Sequence, residues 1–159
     1  MSFNLIPQLT PPDVNPAIVR GVAGLNATSI PAVAYRAMTD TSAATLTWQQ
    51  LLAGRKIVTV NMTGTLGAGA ALTLDTVAIV VAAMQQIYGS GVNVAGMSWM
   101  LRIINSSSAN FAWTLTTATG WGTLGGTQSV AQNTTRLFVV TITTTTSGTI
   151  QSVGIGSTS

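Results

Sequence analysis

The chain contains no cysteine, no histidine and no glutamate, and its acids are Asp13, Asp40 and Asp75 alone. Without Cys there is no disulfide, no zinc–thiolate centre and no thiol nucleophile, and the redox compartment leaves no trace. Without His, a Ser-His-Asp triad and the usual transition-metal ligand sets are closed. A carboxylate pair for acid/base work would have to come from three scattered aspartates. Asp13 falls in a proline-containing stretch, Asp40 at a domain edge, and Asp75 at a helix start where capping accounts for it. The expectation is therefore a protein that is not an enzyme and that uses no cofactor and no metal.

Charge is as scarce as catalytic groups. Only 6% of residues are charged, against about a quarter in an ordinary globular domain. The net charge of +3 reflects few acids more than many bases. Arg20, Arg36, Arg55, Lys56, Arg102 and Arg136 are dispersed, with only Arg55 and Lys56 adjacent, whereas binding a phosphate backbone relies on clustered cations. No nucleic-acid partner is expected. The longest apolar run, Val77–Met84, is far too short to cross a bilayer, and the first residues lack the basic-then-apolar order of a secretory signal. The expectation is no membrane partner, synthesis in a cytoplasm and use in soluble form. Proline, too, disappears: Pro7, Pro11, Pro12, Pro16 and Pro31 are followed by none.

What the chain does have is 47% hydrophobic residues and an abundance of Ser, Thr and Gly. That is a folding composition, not a disordered one, but a poor surface for a free monomer, because few charges keep it soluble. Much of the surface is expected to be covered by copies of itself or by a partner. The proline-bearing stretch, residues 1–40, reads as an extended N-terminal arm. Each proline fixes φ and steers its predecessor away from helix, and Phe3, Leu5 and Ile6 lie between them without a clean period. Forty extended residues reach on the order of 130 Å, enough to cross a subunit boundary. Phe3, Leu5, Pro7, Pro11, Pro12, Pro16, Arg20 and Arg36 are the arm's candidate docking residues.

Residues 41–159 read as one β-sandwich domain. Thr45–Gly54 suggests a short helical turn, with Thr47 as cap, Trp48, Leu51 and Leu52 as its apolar face and Gly54 as stop. Lys56–Met62 is a strand candidate. Over Thr73–Gly89, Val77, Val80, Val81, Met84, Ile87 and Tyr88 make one stripe on a 3.6-residue period, which predicts a helix capped by Thr73 or Asp75 and ended by Gly89. Beyond it the pattern is strand after strand. Met97, Trp99, Leu101 and Ile103 share one face of Met97–Asn105, and the opposite face (Ser98, Met100, Arg102, Ile104) is only half polar, which suggests that it too is partly covered. Phe111, Trp113 and Leu115 alternate with Ala112, Thr114 and Thr116, and Arg136–Thr144 and Thr149–Ile155 complete the set. Short strands with Gly/Ser/Thr turns predict an all-β fold, an antiparallel β-sandwich of jelly-roll type with one short helix. The glycine cluster Gly64–Gly69 lacks the spacing and the lysine of a phosphate-binding loop. Trp99 and Trp113 fit inward positions, while Trp121, between Gly120 and Gly122, is the one tryptophan read as displayed on a loop.

Thr45–Met84, TLTWQQLLAG…ALTLDTVAIVVAAM, resembles the start of a module of virion structural proteins from phages and large DNA viruses. There a TxxQLLxG turn leads to a TLTLP strand end and an Ala-rich helix; Asp75 stands here where that family commonly has proline. The second half is similar too, through MLRIINSSS, TLTTATGWGTLGG and TTRLFVVTITTTTSGTIQSVG, so the likeness covers about residues 41–156. It implies an all-β virion module, often trimeric, with no catalytic residues. The resulting expectation is a capsid cement or decoration protein, a homotrimer on the capsid surface of a bacteriophage-like virion, with the major capsid protein as partner. The alternative is a receptor- or glycan-binding head of a tail or fibre, in which Trp121 would be the exposed contact.

Overall fold

A computed structural model describes residues 33–54, 56–122, 125–126 and 128–157. Strands make up 45% of the described residues and helix 13%, so the strand-rich class expected from the sequence holds. Among the described residues nine strands and two helices follow in order: β1 (Val33–Met38), β2 (Ala44–Leu46), α1 (Trp48–Leu51), β3 (Ile57–Met62), β4 (Ala70–Leu74), α2 (Val77–Tyr88), β5 (Ser98–Asn105), β6 (Trp113–Thr116), β7 (Ser129–Val130), β8 (Thr134–Ile142) and β9 (Gly148–Ser157). They form a five-stranded sheet, β1-β3-β5-β8-β9, and a four-stranded sheet, β2-β4-β6-β7.

The chain visits the two sheets alternately. β1, β3 and β5 each cross to the other sheet, as β2, β4 and β6, before the chain returns. Each return re-enters a sheet from the same end, so β1, β3 and β5 pair parallel, and so do β2, β4 and β6. Only the last part is antiparallel, β5 with β8, β8 with β9, and β6 with β7. This corrects the expected antiparallel arrangement: both sheets are mixed. Gly/Ser/Thr turns had suggested hairpins, but most of those turns carry the chain between sheets, and the tight hairpin between neighbours is Thr143–Ser147, where Thr143 N and Thr144 N both donate to Ser147 O.

The core lies between the sheets and is one contiguous cluster. Val58, Val60, Leu101, Ile103, Phe138 and Val140 face in from the larger sheet, and Leu46, Leu72, Leu74, Trp113 and Leu115 from the smaller. Both helices lie in returns from the smaller sheet to the larger and close that end of the core, through Leu51 and Leu52 of the first and Val77, Val80, Val81, Met84 and Ile87 of the second. The stripe read from the sequence is thus the buried face of α2. Its ends differ in detail from expectation. Thr76, not Thr73 or Asp75, is the N-cap, its Oγ1 accepting from Ile79 N at 3.4 Å. Gly89 does end the helix, at φ 115° and ψ 140°, a conformation that favours glycine but is not the left-handed helical one. Asp75 serves the other helix: its Oδ2 accepts from Trp48 N at 2.7 Å, in the first turn of α1.

Residues 33–38, assigned to the arm by the sequence, form edge strand β1, in register with β3 from Val33–Ile57 to Met38–Met62. Ala34 and Met38 are buried. Arg36 is therefore an exposed residue of a sheet edge. The other proposed arm residues, Phe3, Leu5, Pro7, Pro11, Pro12, Pro16 and Arg20, lie outside the described residues.

Candidate docking surface

A strand in a two-sheet body sends alternate side chains inward and outward. In the larger sheet the outward set can be read across all five strands from the register. One row is Val33, Ile57, Met100, Val139 and Gln151; the next is Tyr35, Thr59, Arg102, Leu137 and Gly154; a third is Ala37, Asn61, Ile104, Thr135 and Gly156. Seven of these are large apolar or aromatic side chains, forming a continuous patch on the outside of the molecule. Val33 is 60% exposed, Tyr35 56% and Met100 41%. Burying one such side chain contributes about 1.5–3 kcal/mol, so leaving several together in water forgoes a substantial stabilisation. Isolated apolar residues on a surface need no explanation, but a contiguous patch marks an interaction site.

Two depressions lie on this face. One of about 410 Å³ is lined by Arg102, Ile104, Thr135, Leu137, Gly154, Ile155 and Gly156. The other, of about 290 Å³, is bordered by Lys56, Ser98, Trp99, Met100 and Val139. Each contains one cation. The described acids lie off these strands, Asp40 after β1 and Asp75 after β4, where it caps α1. The face is thus apolar with positive points. Its polar rim is internally paired, because Asn61 Nδ2 donates to Tyr35 Oη at 2.8 Å and Ser106 Oγ donates to Asn61 Oδ1 at 2.6 Å. Those bonds hold Tyr35 in place on the sheet edge. The arrangement can bind a surface.

Trp121 is not displayed. It is 8% exposed and part of the core, and its Nε1 donates to Asp75 O at 2.7 Å. Of the flanking glycines, which suggested display on a loop, Gly120 is there for close approach. Gly120 has φ 93°, and a Cβ on it would lie 2.8 Å from Val77 Cβ; a Cβ on Gly148 would lie 2.7 Å from the Trp121 ring. The same loop is stitched to the outer edge of β9, Gly122 N donating to Gly148 O at 2.8 Å and Gly125 N to Ile150 O at 3.1 Å. This corrects the reading of Trp121 as an exposed contact. Trp99 and Trp113 are buried as expected, and Trp48 packs half-buried on the core.

Sequence reasoning found half of this surface, in the incompletely polar face of Met97–Asn105. It missed Val33 and Tyr35, placed in the arm. The available signal was that β3 and β8 (IVTVNM and TTRLFVVTI) carry apolar residues at both parities, the pattern of strands covered on both faces. No family model matches the chain, and no curated protein or solved structure is significantly similar to it.

Proposed function

We propose that the chain is a virion structural protein of the cement or decoration class, which binds an assembled capsid shell and stabilises it without catalysis. The observation that carries this reading is the apolar outer face of the larger sheet, on a protein with only 6% charged residues. Such a surface suits extended contact between subunits better than capture of a small solute. The likeness of residues 41–156 to virion modules supports the same class. In this reading the two-sheet body takes the place of an antiparallel jelly roll, with mixed sheets around the core. It acts as a homotrimer made in the host cytoplasm and seated on major capsid protein at the shell surface.

The mechanism is linkage. A protein that binds only the closed shell, and not its free subunits, lowers the free energy of the closed state by RT ln(1 + [L]/Kd), roughly 2.7 kcal/mol at a hundredfold excess over Kd. The test is co-sedimentation of the full chain with assembled capsids of the virus that encodes it, beside unassembled major capsid protein. The expected result is saturable binding to shells alone, with a rise in the temperature at which they open. Equal binding to unassembled subunits, or no binding to shells, overturns the reading. The receptor-binding alternative rested chiefly on an exposed Trp121 and is left without that residue.

A further inference from the structure

The larger of the two depressions on the outer face is kept open by a glycine that the fold does not need. It measures about 410 Å³, and Arg102, Ile104, Leu137 and Gly154 are among the residues that line it. Arg102 lies on β5, the central strand of β1-β3-β5-β8-β9, so it stands in the middle of the face and not on its rim. Leu137 is opposite it on β8, and Gly154 continues the same row on β9. Glycine in a strand interior weakens the strand and often marks a place where a ligand or another backbone comes close. Gly154 has no conformational reason to be glycine, because its φ is not positive. The bulge beside it, at Leu137/Phe138, is therefore not of the kind that requires one. Nor is there a steric reason, since a Cβ added there would meet nothing within 4 Å beyond its chain neighbours. What the missing side chain does is leave room beside Arg102.

The five strands carry no acid, and their cations are Arg36, Arg102 and Arg136. Arg136 is used internally, donating from Nε to Ser129 O at 2.8 Å and from Nη1 to Ser152 Oγ at 3.1 Å. Arg36, on the sheet edge, donates to Tyr35 O at 3.4 Å. Arg102 is exposed between apolar neighbours, Met100 and Ile104 along its strand and Leu137 across the ladder. A guanidinium binds a carboxylate through two parallel N–H···O bonds, and apolar surroundings that exclude water strengthen such a pair. We infer that the depression seats a carboxylate side chain, Asp or Glu, borne on an apolar segment of a partner protein. Its oxygens accept from the Arg102 guanidinium, and its backbone comes close over Gly154. The inference rests on the proposed function for the partner, the major capsid protein, and adds the chemistry that this partner must present to the sheet.

Charge also argues against two other occupants. A second copy packed face to face would bring Arg102 toward its own counterpart with no acid on these strands to compensate, and like charges placed together oppose association. A phosphate backbone calls for several clustered cations, whereas the neighbours of Arg102 on this face are apolar. An acid set among apolar groups matches both properties of the site.

The test follows backbone amide shifts of the full chain by nuclear magnetic resonance, with acetyl-Leu-Glu-Leu-amide as the probe beside acetyl-Leu-Gln-Leu-amide and hexanoate. The expected result is a saturable shift centred on Ile104, Leu137 and Gly154 with the glutamyl peptide, and binding weaker by about tenfold with the glutaminyl one. Arg102→Gln is expected to erase that difference and Arg102→Lys to keep part of it. Gly154→Val leaves the charge unchanged and has room for its Cβ. It should weaken the glutamyl peptide by about tenfold while the far-ultraviolet dichroism stays the same. Equal response to the two peptides, or an unchanged affinity in Gly154→Val, overturns the inference. Hexanoate binding more tightly than the glutamyl peptide would assign the site to a free amphiphile, and a full-chain dimer closed over these amides would assign it to a second copy; either overturns the protein partner. Co-sedimentation with assembled capsids separates this inference from the proposed function. Shells that bind the unaltered chain and Arg102→Gln equally overturn the inference alone. Shells that bind neither overturn the cement reading and, with it, the partner named here.

Discussion

Asn105 is the residue on which three segments depend. It ends β5 fully buried, and its amide is completely used: Nδ2 donates to Phe111 O at 2.9 Å and to Val130 O at 3.0 Å, while Oδ1 accepts from Ser107 N at 3.2 Å and Ser107 Oγ at 2.7 Å. One side chain thereby ties the end of the larger sheet, the 106–111 turn and β7 of the smaller sheet. Replacing it by leucine keeps the volume and strands several buried polar groups, each of which costs about 1–3 kcal/mol when left unpaired. Asn105→Leu is expected to lower unfolding stability by roughly 2–4 kcal/mol, measured by urea denaturation, whereas Ser106→Ala on the outward side changes it by under about 0.5 kcal/mol. Equal, small effects of the two would show that the amide is not a structural node. Residues of this kind are poorly legible in a sequence. Asn105 reads as part of a polar Asn-Ser-Ser-Ser turn, and Trp121 reads as displayed between glycines, because a sequence gives the flexibility of a glycine but not what approaches it. In the fold, Gly120 and Gly148 are small so that Val77 and the Trp121 ring can be close.

At the scale of elements, what repeats locally was legible and what closes over long distances was not. Helix α2 and the inward faces of β5 and β6 follow from a period of 3.6 or 2 within one segment. The short helix α1 also follows from local signals, with Thr47 as its N-cap and Gln50 Oε1 accepting from Thr47 N at 2.8 Å. Parallel pairing does not, because the strands that meet are separated by a whole crossing to the other sheet. The role of Asp75 shows the same divide. One residue before the cap of α2, it reads as a device of that helix, yet its carboxylate bonds the first turn of α1, 27 residues earlier. Removing such a cap costs about 0.5–2 kcal/mol. Asp75→Ala is therefore expected to speed amide hydrogen exchange at Trp48 and through α1 while leaving the amides of Val81–Ile87 at their original rates. If protection fell first in α2, the bond to Trp48 would be incidental.

For the whole molecule, the decisive quantity is how much apolar surface is left over once the core is closed. The two sheets and two helices bury one cluster efficiently; of the large apolar side chains left exposed, Val33, Tyr35 and Met100 share the outer face of β1-β3-β5-β8-β9, while Ile79 on α2 and Phe111 before β6 lie apart from it. A chain that begins at Val33 keeps every described element, so it is expected to retain its far-ultraviolet dichroism. Its apolar outer face should bind a hydrophobic dye and drive formation of larger species in a concentration-dependent way, as exposed apolar patches do. Adding Met100→Lys and Leu137→Lys to the shortened chain tests the cause. Both side chains point outward, where lysine is tolerated, so the pair should return the shortened protein to a dispersed form with unchanged dichroism. A shortened chain that stays dispersed without the lysines would mean that the outer face does not drive association.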